Sequence, residues 1–241
     1  MSDVSALERV GTVVGLWRYP VKSMAAEALK RADVGWQGLD GDRRWAFVRD
    51  DVRGSGFPWL TIRQNPGMQQ YRPAFVDETA AESSAVEVRT PAGVRLGVDE
   101  PKLAAELWPK GASAIKQNRG AFDTFPLSLI TVQTVRQLGE LVGEPLEVAR
   151  FRPNILVDTG TDEPFPEDAW VGRTLRIGSA RLRVDKRDGR CVVITVDPET
   201  SERNPAVLRA VAQEREGCLG VYGSTVEPGG LSLGDPVVSE P

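Results

Sequence analysis

The chain has 241 residues, of which 41% are hydrophobic and 27% charged, and this ordinary globular composition argues against intrinsic disorder. Its formal net charge of −4 argues against attraction of the whole protein to nucleic acid. Histidine is absent, which excludes serine–histidine and cysteine–histidine triads, histidine-ligated metals and imidazole acid–base chemistry.

Glycine and proline recur along the whole chain and separate short runs of β-forming residues, a pattern typical of many short strands joined by turns. In chain order, strands are predicted at 13–18, 45–49, 59–63, 86–90, 94–98, 154–158, 174–177, 181–184, 192–196, 219–222 and 236–238. The polar stretch 77–84 is interpreted as a hairpin loop, because predicted strands continue on both sides of it.

Three helices are predicted, at 101–107, 131–142 and 205–216. The second has an apolar face and ends at Gly143, whereas the third has Asn204 as a cap, Pro205 at its first position and Gly217 after it. With no repeat and no βαβ rhythm, the sequence predicts a mostly β (α+β) fold, barrel-like, with a few helices. A boundary between two packed halves is predicted near 109–119.

Cys191 follows the segment 185–190, which carries three cationic and two acidic side chains. This positive setting favours a thiolate, which is suited to be a nucleophile, a persulfide carrier or a ligand for a soft metal. The alternative is a small, buried and inert cysteine. Cys218 has no cationic neighbours and is assigned to the core, and a disulfide between the two is not expected in a reducing cytosol.

Three other stretches carry groups that can bind anions. Lys22 and Ser23 end the first predicted strand, Arg43 closes the glycine-rich turn 38–43, and Arg152 and Asn154 precede another predicted strand. None of them has the spacing of a phosphate-binding P-loop. For the pair Arg150 and Arg152, a solvated strand edge is the alternative interpretation, and the other two stretches are weak signals when taken separately.

Four motifs occur in this order along the chain: Tyr19-Pro20-Val21-Lys22-Ser23, Gly38-Leu39-Asp40-Gly41-Asp42-Arg43, Phe151-Arg152-Pro153-Asn154, and the stretch from Arg190-Cys191 to Val196-Asp197-Pro198-Glu199-Thr200. Taken together, they resemble the MOSC family, which is named after the C-terminal domain of molybdenum cofactor sulfurase and includes the amidoxime-reducing proteins. The resemblance implies two packed β-barrel-like domains, an N-terminal MOSC β-barrel domain at 8–110 and a MOSC domain at 111–239.

The resemblance also implies a site. Cys191 matches the cysteine whose thiolate binds molybdenum, and it is expected to be the metal ligand and catalytic residue. The expected contacts to the molybdenum–molybdopterin cofactor are Lys22, Ser23, Arg43, Thr124, Arg152, Asn154 and Arg190. Thr124 falls in a position where relatives have a Thr-Ser pair, and the second member here is Phe125.

The activity implied is reduction of small N-hydroxylated substrates (hydroxylamines, amidoximes and N-hydroxylated bases) to amines. Because two cysteines cannot hold an iron–sulfur cluster, electrons are expected from a separate ferredoxin-like or flavin reductase. The alternatives are a cofactor carrier or sulfur-transfer protein with a persulfide on Cys191, and a β-barrel interaction module. No signal peptide, membrane span or nucleic-acid partner is expected, and the predicted location is cytoplasmic.

Overall fold

The computed structural model describes residues 7–52 and 54–240, which fold into β-strands and three α-helices. The strands are β1 (Glu8–Arg18), β2 (Glu27–Ala28), β3 (Arg31–Gly35), β4 (Gly38–Leu39), β5 (Trp45–Arg49), β6 (Arg72–Phe75), β7 (Val86–Arg89), β8 (Arg95–Gly97), β9 (Ala112–Lys116), β10 (Leu127–Thr131), β11 (Ile155–Asp158), β12 (Thr174–Ile177), β13 (Ala180–Gly189), β14 (Cys218–Glu227), β15 (Gly229–Ser232) and β16 (Pro236–Glu240). The helices are α1 (Pro101–Leu107), α2 (Val132–Val142) and α3 (Pro205–Arg215). The predicted mostly β class is confirmed.

Seven strands form a closed barrel in the order β11-β10-β14-β13-β12-β16-β1, with β1 pairing back onto β11. Closure leaves no unpaired strand edge within this sheet. The neighbours are antiparallel except β10 and β11, which are parallel and joined through α2. The barrel interior is apolar and includes the fully buried side chains of Leu129, Ile155 and Val184.

Much of the N-terminal half (residues up to 110), together with β9, forms two smaller sheets around a second apolar core. Strands β6, β7 and β8 form one antiparallel sheet, and β5 pairs with β9. Phe47, Met68 and Leu103 are completely buried between these sheets and α1. The two halves exchange strands, because β1 completes the barrel while β15 pairs with β3. The division at residues 110 and 111 stays a prediction.

Two helices cover one side of the barrel, and a side-chain cap starts each of them. The Thr131 hydroxyl accepts a hydrogen bond from the Thr134 N–H at the start of α2, which ends at Gly143 with φ of +87°. The Asn204 side chain likewise accepts from the Ala206 N–H at 2.9 Å and starts α3. The predicted helices are confirmed to within one residue at each end.

Two predicted strands are wrong. Residues 59–63 make a single isolated bridge from Trp59 to Val48 and then enter a turn. Val192–Thr195 forms a short 3-10 helix, in which Ile194 is buried in the apolar cluster beneath α2 and α3 instead of in a sheet. The segment 77–84 does connect the antiparallel strands β6 and β7, as the hairpin interpretation requires. Within the described ranges, no helix combines the length and apolarity needed to cross a membrane.

A buried carboxyl group connects the short 3-10 helix Pro166–Trp170 to the start of α2. Glu167 is completely buried, and its Oε2 accepts hydrogen bonds from the hydroxyls of Thr131 at 2.8 Å and Thr134 at 2.6 Å. Burial raises the pKa of Glu167 above its ordinary value of 4.5. The folded state therefore favours the protonated carboxyl more than the unfolded state does.

We expect Glu167 to make the free energy of unfolding fall as pH rises. Its contribution is complete below pH 4.5 and is lost as pH rises through the raised pKa of the folded state. Glu167→Gln keeps a neutral side chain, so its stability should exceed that of the wild type increasingly as pH rises. Urea unfolding at several pH values tests this, with exposed Glu163→Gln as control; parallel curves for wild type and Glu167→Gln would contradict it.

Candidate functional site

One cavity of about 340 Å³ lies where the barrel meets the turns of the N-terminal half. All of the predicted site residues line it, although they come from distant parts of the sequence: Lys22, Ser23, Arg43, Thr124, Arg152, Asn154, Arg190 and Cys191. The structure thus brings the predicted cations from several motifs together at one cavity. Their roles toward a ligand stay predictions.

Three of these residues have backbones in the left-handed region, which non-glycine residues rarely adopt. The φ angles are +70° for Ser23, +52° for Arg43 and +55° for Arg152. Each such conformation typically costs about 1–3 kcal/mol and persists where the surrounding fold enforces it. Their concentration around one cavity indicates a site that the fold shapes at some cost in stability.

Tyr19 lies between two cations of the cavity wall. Its ring centroid is 4.5 Å from the Arg43 guanidinium carbon and 4.3 Å from that of Arg152. Its hydroxyl donates to the Pro153 carbonyl at 3.0 Å, and burial raises the pKa of Tyr19 to about 12. The phenol is therefore neutral at physiological pH and offers the two guanidinium groups only its π faces.

The two arginines differ in how their charge is compensated. Arg43 forms a short ion pair with the buried carboxylate of Asp42, which also accepts from the Tyr19 N–H at 2.7 Å. Arg152 has no ion pair among the described residues, and its buried Nη2 has no hydrogen-bond partner there. Desolvation lowers the pKa of Arg152 to about 10. A buried, uncompensated guanidinium at a cavity wall is suited to an anionic ligand.

Lys22 is the third cation of the wall and is only 6% exposed. Its Nζ donates to the Ala121 carbonyl at 2.7 Å and to Asp123 Oδ1 at 2.5 Å. Burial lowers the pKa of Lys22. Burial also acts to raise the pKa of Asp123, but the ion pair with Lys22 outweighs it and the net shift is downward.

Arg190 is held in place by main-chain carbonyls. Its Nε donates to Leu219 O and its Nη1 to Phe151 O, both at 2.8 Å, while Nη2 lies 3.0 Å from the buried carboxylate of Asp188. Burial raises the pKa of Asp188, which also accepts a hydrogen bond from Ser128 Oγ at 3.3 Å. The position of this guanidinium is thus set by backbone atoms from two separate segments.

Asn154 is completely buried, and its amide bonds are made within the protein. Its Oδ1 accepts from the Ser128 N–H at 3.1 Å and its Nδ2 donates to the Trp17 carbonyl at 3.2 Å. Arg43 Nη1 lies 3.4 Å from the same Oδ1. Asn154 therefore connects β1 and β10 beneath the cavity floor and helps to place Arg43.

Gly220 permits the close packing around Arg190. Its φ is +72°, and an added Cβ would lie 2.8 Å from the Leu129 carbonyl oxygen and 3.2 Å from Arg190 Nη2. We expect Gly220→Ala to destabilise the fold by about 1–3 kcal/mol and to displace the guanidinium. Chemical denaturation tests this, with Gly189→Ala, where nothing lies within 4 Å of an added Cβ, as control. Equal stability of the two variants would contradict it.

Cys191 stands immediately before the 3-10 helix Val192–Thr195, with its thiol half-buried and free. Its hydrogen-bond donor is Arg63 of the N-terminal half, whose Nη2 lies 3.3 Å from Sγ. This contact is the main cause of a raised pKa for Arg63. A cationic side chain therefore lies beside the Cys191 sulfur, as predicted.

The cation responsible is different from those predicted by sequence proximity. Arg187 forms ion pairs with Asp168 at 3.4 Å and Glu216 at 2.8 Å. Lys186 lies 5.8 Å from the centre of the Phe125 ring. Cys218, assigned to the core from the sequence, is half-buried and free at the start of β14.

Sequence reasoning missed several residues of the cavity. Asp123 precedes Thr124 in the sequence but was assigned no role, and neither was Tyr19, which lies inside a quoted motif and packs behind the cavity wall. Asp188 was counted only as a local charge. Arg63 lay inside a predicted strand that does not form, and no local pattern indicated its contact with Cys191.

A metal bound here would need ligands beyond the protein. Within residues 7–52 and 54–240, no group of three His, Cys, Asp or Glu side chains is arranged to hold a metal ion. Cys191 alone offers a soft thiolate ligand to the cavity. The donor set therefore fits a metal that arrives with most of its ligands, and the cations fit an anionic carrier molecule.

Comparisons with known proteins identify the same family over nearly the whole chain. The MOSC domain model matches residues 116–238, and the model of the MOSC N-terminal beta barrel domain matches residues 10–125. Human mitochondrial amidoxime reducing component 2 is 27% identical across 96% of this chain and 84% of its own length. Mitochondrial amidoxime-reducing component 1 of Danio rerio is 34% identical across 96% and 85%.

Two further comparisons differ in scope. Molybdenum cofactor sulfurase of Drosophila grimshawi is 27% identical across 91% of this chain, which spans only 33% of the sulfurase. The crystal structure of the YuaD protein from Bacillus subtilis aligns with a TM-score of 0.52 over 97% of this chain and 98% of that one, at 14% identity. The latter supports the fold alone.

Proposed function

The chain belongs to the MOSC-domain family, and from this premise we propose that it is a molybdenum cofactor-dependent reductase of N-hydroxylated compounds. The observation that carries the proposal is the pairing, in one cavity, of a single free thiol with a buried guanidinium that lacks a partner among the described residues. The coverage of amidoxime-reducing relatives over most of their length supports the reductase branch.

The cavity offers cations that suit the anionic part of the cofactor and a soft thiolate ligand that suits its metal. Arg152 has a buried Nη2 free to donate within the described structure, and Lys22 and Arg43 lie on the same wall. These cations would hold the anionic phosphate of the pterin, and Cys191 would be the protein's ligand to the metal. When bound, the cofactor supplies the two-electron redox chemistry.

The overall reaction sets what this chain and its partner must provide. An N-hydroxylated substrate gains two electrons and two protons, its N–O bond breaks, the oxygen leaves as water and an amine remains. Electrons come from a separate ferredoxin-like or flavin-containing donor. The proposal retains the cytoplasmic location predicted from the cysteine content.

A turnover assay tests the proposal. We expect protein purified with molybdenum to reduce a hydroxylamine-type substrate with a chemical or ferredoxin-type donor. NADH or NADPH alone should fail, because the sequence contains no G-x-G-x-x-G nicotinamide-binding motif. Protein made in a host unable to synthesise the cofactor is the matched control.

The carrier alternative predicts a different result in the same assay. The match to sulfurases keeps sulfur transfer through a Cys191 persulfide in view, with the sulfur supplied by a partner. Loaded protein that stays inactive with every low-potential donor, yet passes cofactor or sulfur to an apo-enzyme, would overturn the reductase in favour of the carrier.

A further inference from the structure

Arg63 lies in a turn that is stabilised by hydrogen bonds between its own residues. Thr61 donates from its N–H and its hydroxyl to Gln64 Oε1, at 3.0 and 2.8 Å, and its hydroxyl oxygen accepts from the Arg63 N–H at 3.3 Å. Thr61 is 4% exposed, so this turn is anchored in the N-terminal half. The Arg63 side chain extends from it across the cavity.

The guanidinium of Arg63 has few partners besides the sulfur. Its Nη2 lies 3.3 Å from Cys191 Sγ, and its Cζ lies 5.5 Å from the centre of the Phe57 ring. In the part of the chain that the structure describes, no carboxylate lies within ion-pair distance of Arg63, although Asp123 acts on it from further away. The thiol is thus the side-chain acceptor to which this cation is directed.

We propose that Arg63 is a positioning residue for Cys191, which fixes the sulfur at the cavity mouth and keeps a positive charge beside it. The C-terminal half of the chain supplies the sulfur, and the N-terminal half supplies the cation. An arginine is suited to this role because it stays charged and its planar guanidinium donates in fixed directions. The inference deepens the proposed function and rests on it for the role of Cys191, but its test needs no cofactor.

Two alkylating reagents of different charge isolate the effect. Iodoacetate is anionic and iodoacetamide is neutral, and both form a carbon–sulfur bond with the thiolate while iodide leaves. Because both react with the same thiolate, the ratio of their rates cancels the fraction of thiol that is ionised and reports the charge beside the sulfur. Mass spectrometry of the modified peptides measures this ratio separately at Cys191 and at Cys218.

We expect Arg63→Gln to lower the iodoacetate-to-iodoacetamide ratio at Cys191 about fivefold, as expected for one charge about 4 Å away in water. Arg63→Lys should retain most of the ratio, because the charge remains. Arg187→Gln is the matched control: its cation is close in sequence but is paired with Asp168 and Glu216, so the ratio should not change. The ratio at Cys218 should be the same in all variants.

An unchanged ratio in Arg63→Gln, or an equal fall in Arg187→Gln, would overturn the inference. Circular dichroism would show whether Arg63→Gln folds. If it does not fold, the test rests on Arg63→Lys, whose iodoacetamide rate at Cys191 should change because the fixed donor direction of the guanidinium is lost. An unchanged rate would overturn the positioning role. A protein that never binds molybdenum but shows the predicted ratios would contradict the proposed function and leave this inference standing.

Discussion

Cys191→Ser is expected to lose reductase activity completely while keeping the wild-type fold. The thiol is the single soft donor that the described residues bring to the cavity, and a serine hydroxyl is a poor replacement as a ligand to molybdenum. The half-buried side chain belongs to none of the apolar clusters of the described residues, so serine should leave the core intact. Activity with a low-potential donor and the far-ultraviolet circular dichroism spectrum measure the two parts of the prediction.

Cys218→Ser is the matched control, because that thiol is also free and half-buried but does not line the cavity. It should retain full activity. Full activity in Cys191→Ser would refute the role of the sulfur, and equal losses in both variants would indicate a general effect on folding.

Arg152→Gln is expected to weaken cofactor retention on the order of 100-fold, which corresponds to losing charge-assisted hydrogen bonds from one buried guanidinium. The same change should leave the stability of the cofactor-free protein unchanged or raise it. Burial already disfavours this charge, as the lowering of its pKa to about 10 indicates, and no carboxylate pairs with it in the described structure. Thermal unfolding and molybdenum content measure the two effects.

Arg150→Gln provides the contrasting case. Arg150 is 5% exposed, pairs with Asp197 at 3.0 Å and donates to the Thr195 carbonyl at 3.1 Å. Its replacement should destabilise the fold by about 2 kcal/mol, because bonds to a buried charge are lost. If Arg152→Gln destabilised the cofactor-free protein as much as Arg150→Gln, the anion-binding role of Arg152 would be contradicted.

The parts of the fold that local chemistry determines were predictable from the sequence. Helix α2 was found from its apolar face and from Gly143 after it, and α3 from Asn204 before it and Gly217 close to its end. Strand β10 was missed: all five residues are buried, so burial does not alternate, and Ser128 and Thr131 interrupt the apolar run. The run 192–196 has high β propensity, but tertiary packing of Ile194 against the helices decides its conformation.

Only those residues of the candidate site that lie in or beside the family motifs could be predicted from the sequence. The family resemblance identified residues that line one cavity, whereas spacing alone gave no reason to join Lys22 to Arg190. The pairing of Cys191 with Arg63 depends on how the two halves pack, and sequence proximity indicated Arg187 instead. The missing partner of Arg152 is also a property of the folded chain, because it depends on what the surrounding segments leave uncompensated.

The proposed function requires that this cavity holds a molybdenum cofactor. Elemental analysis of the protein, purified from a host that synthesises the cofactor, tests it most directly. We predict close to one molybdenum atom per chain, together with pterin fluorescence after oxidative release. Molybdenum close to zero in folded protein from such a host would contradict the assignment of the cavity.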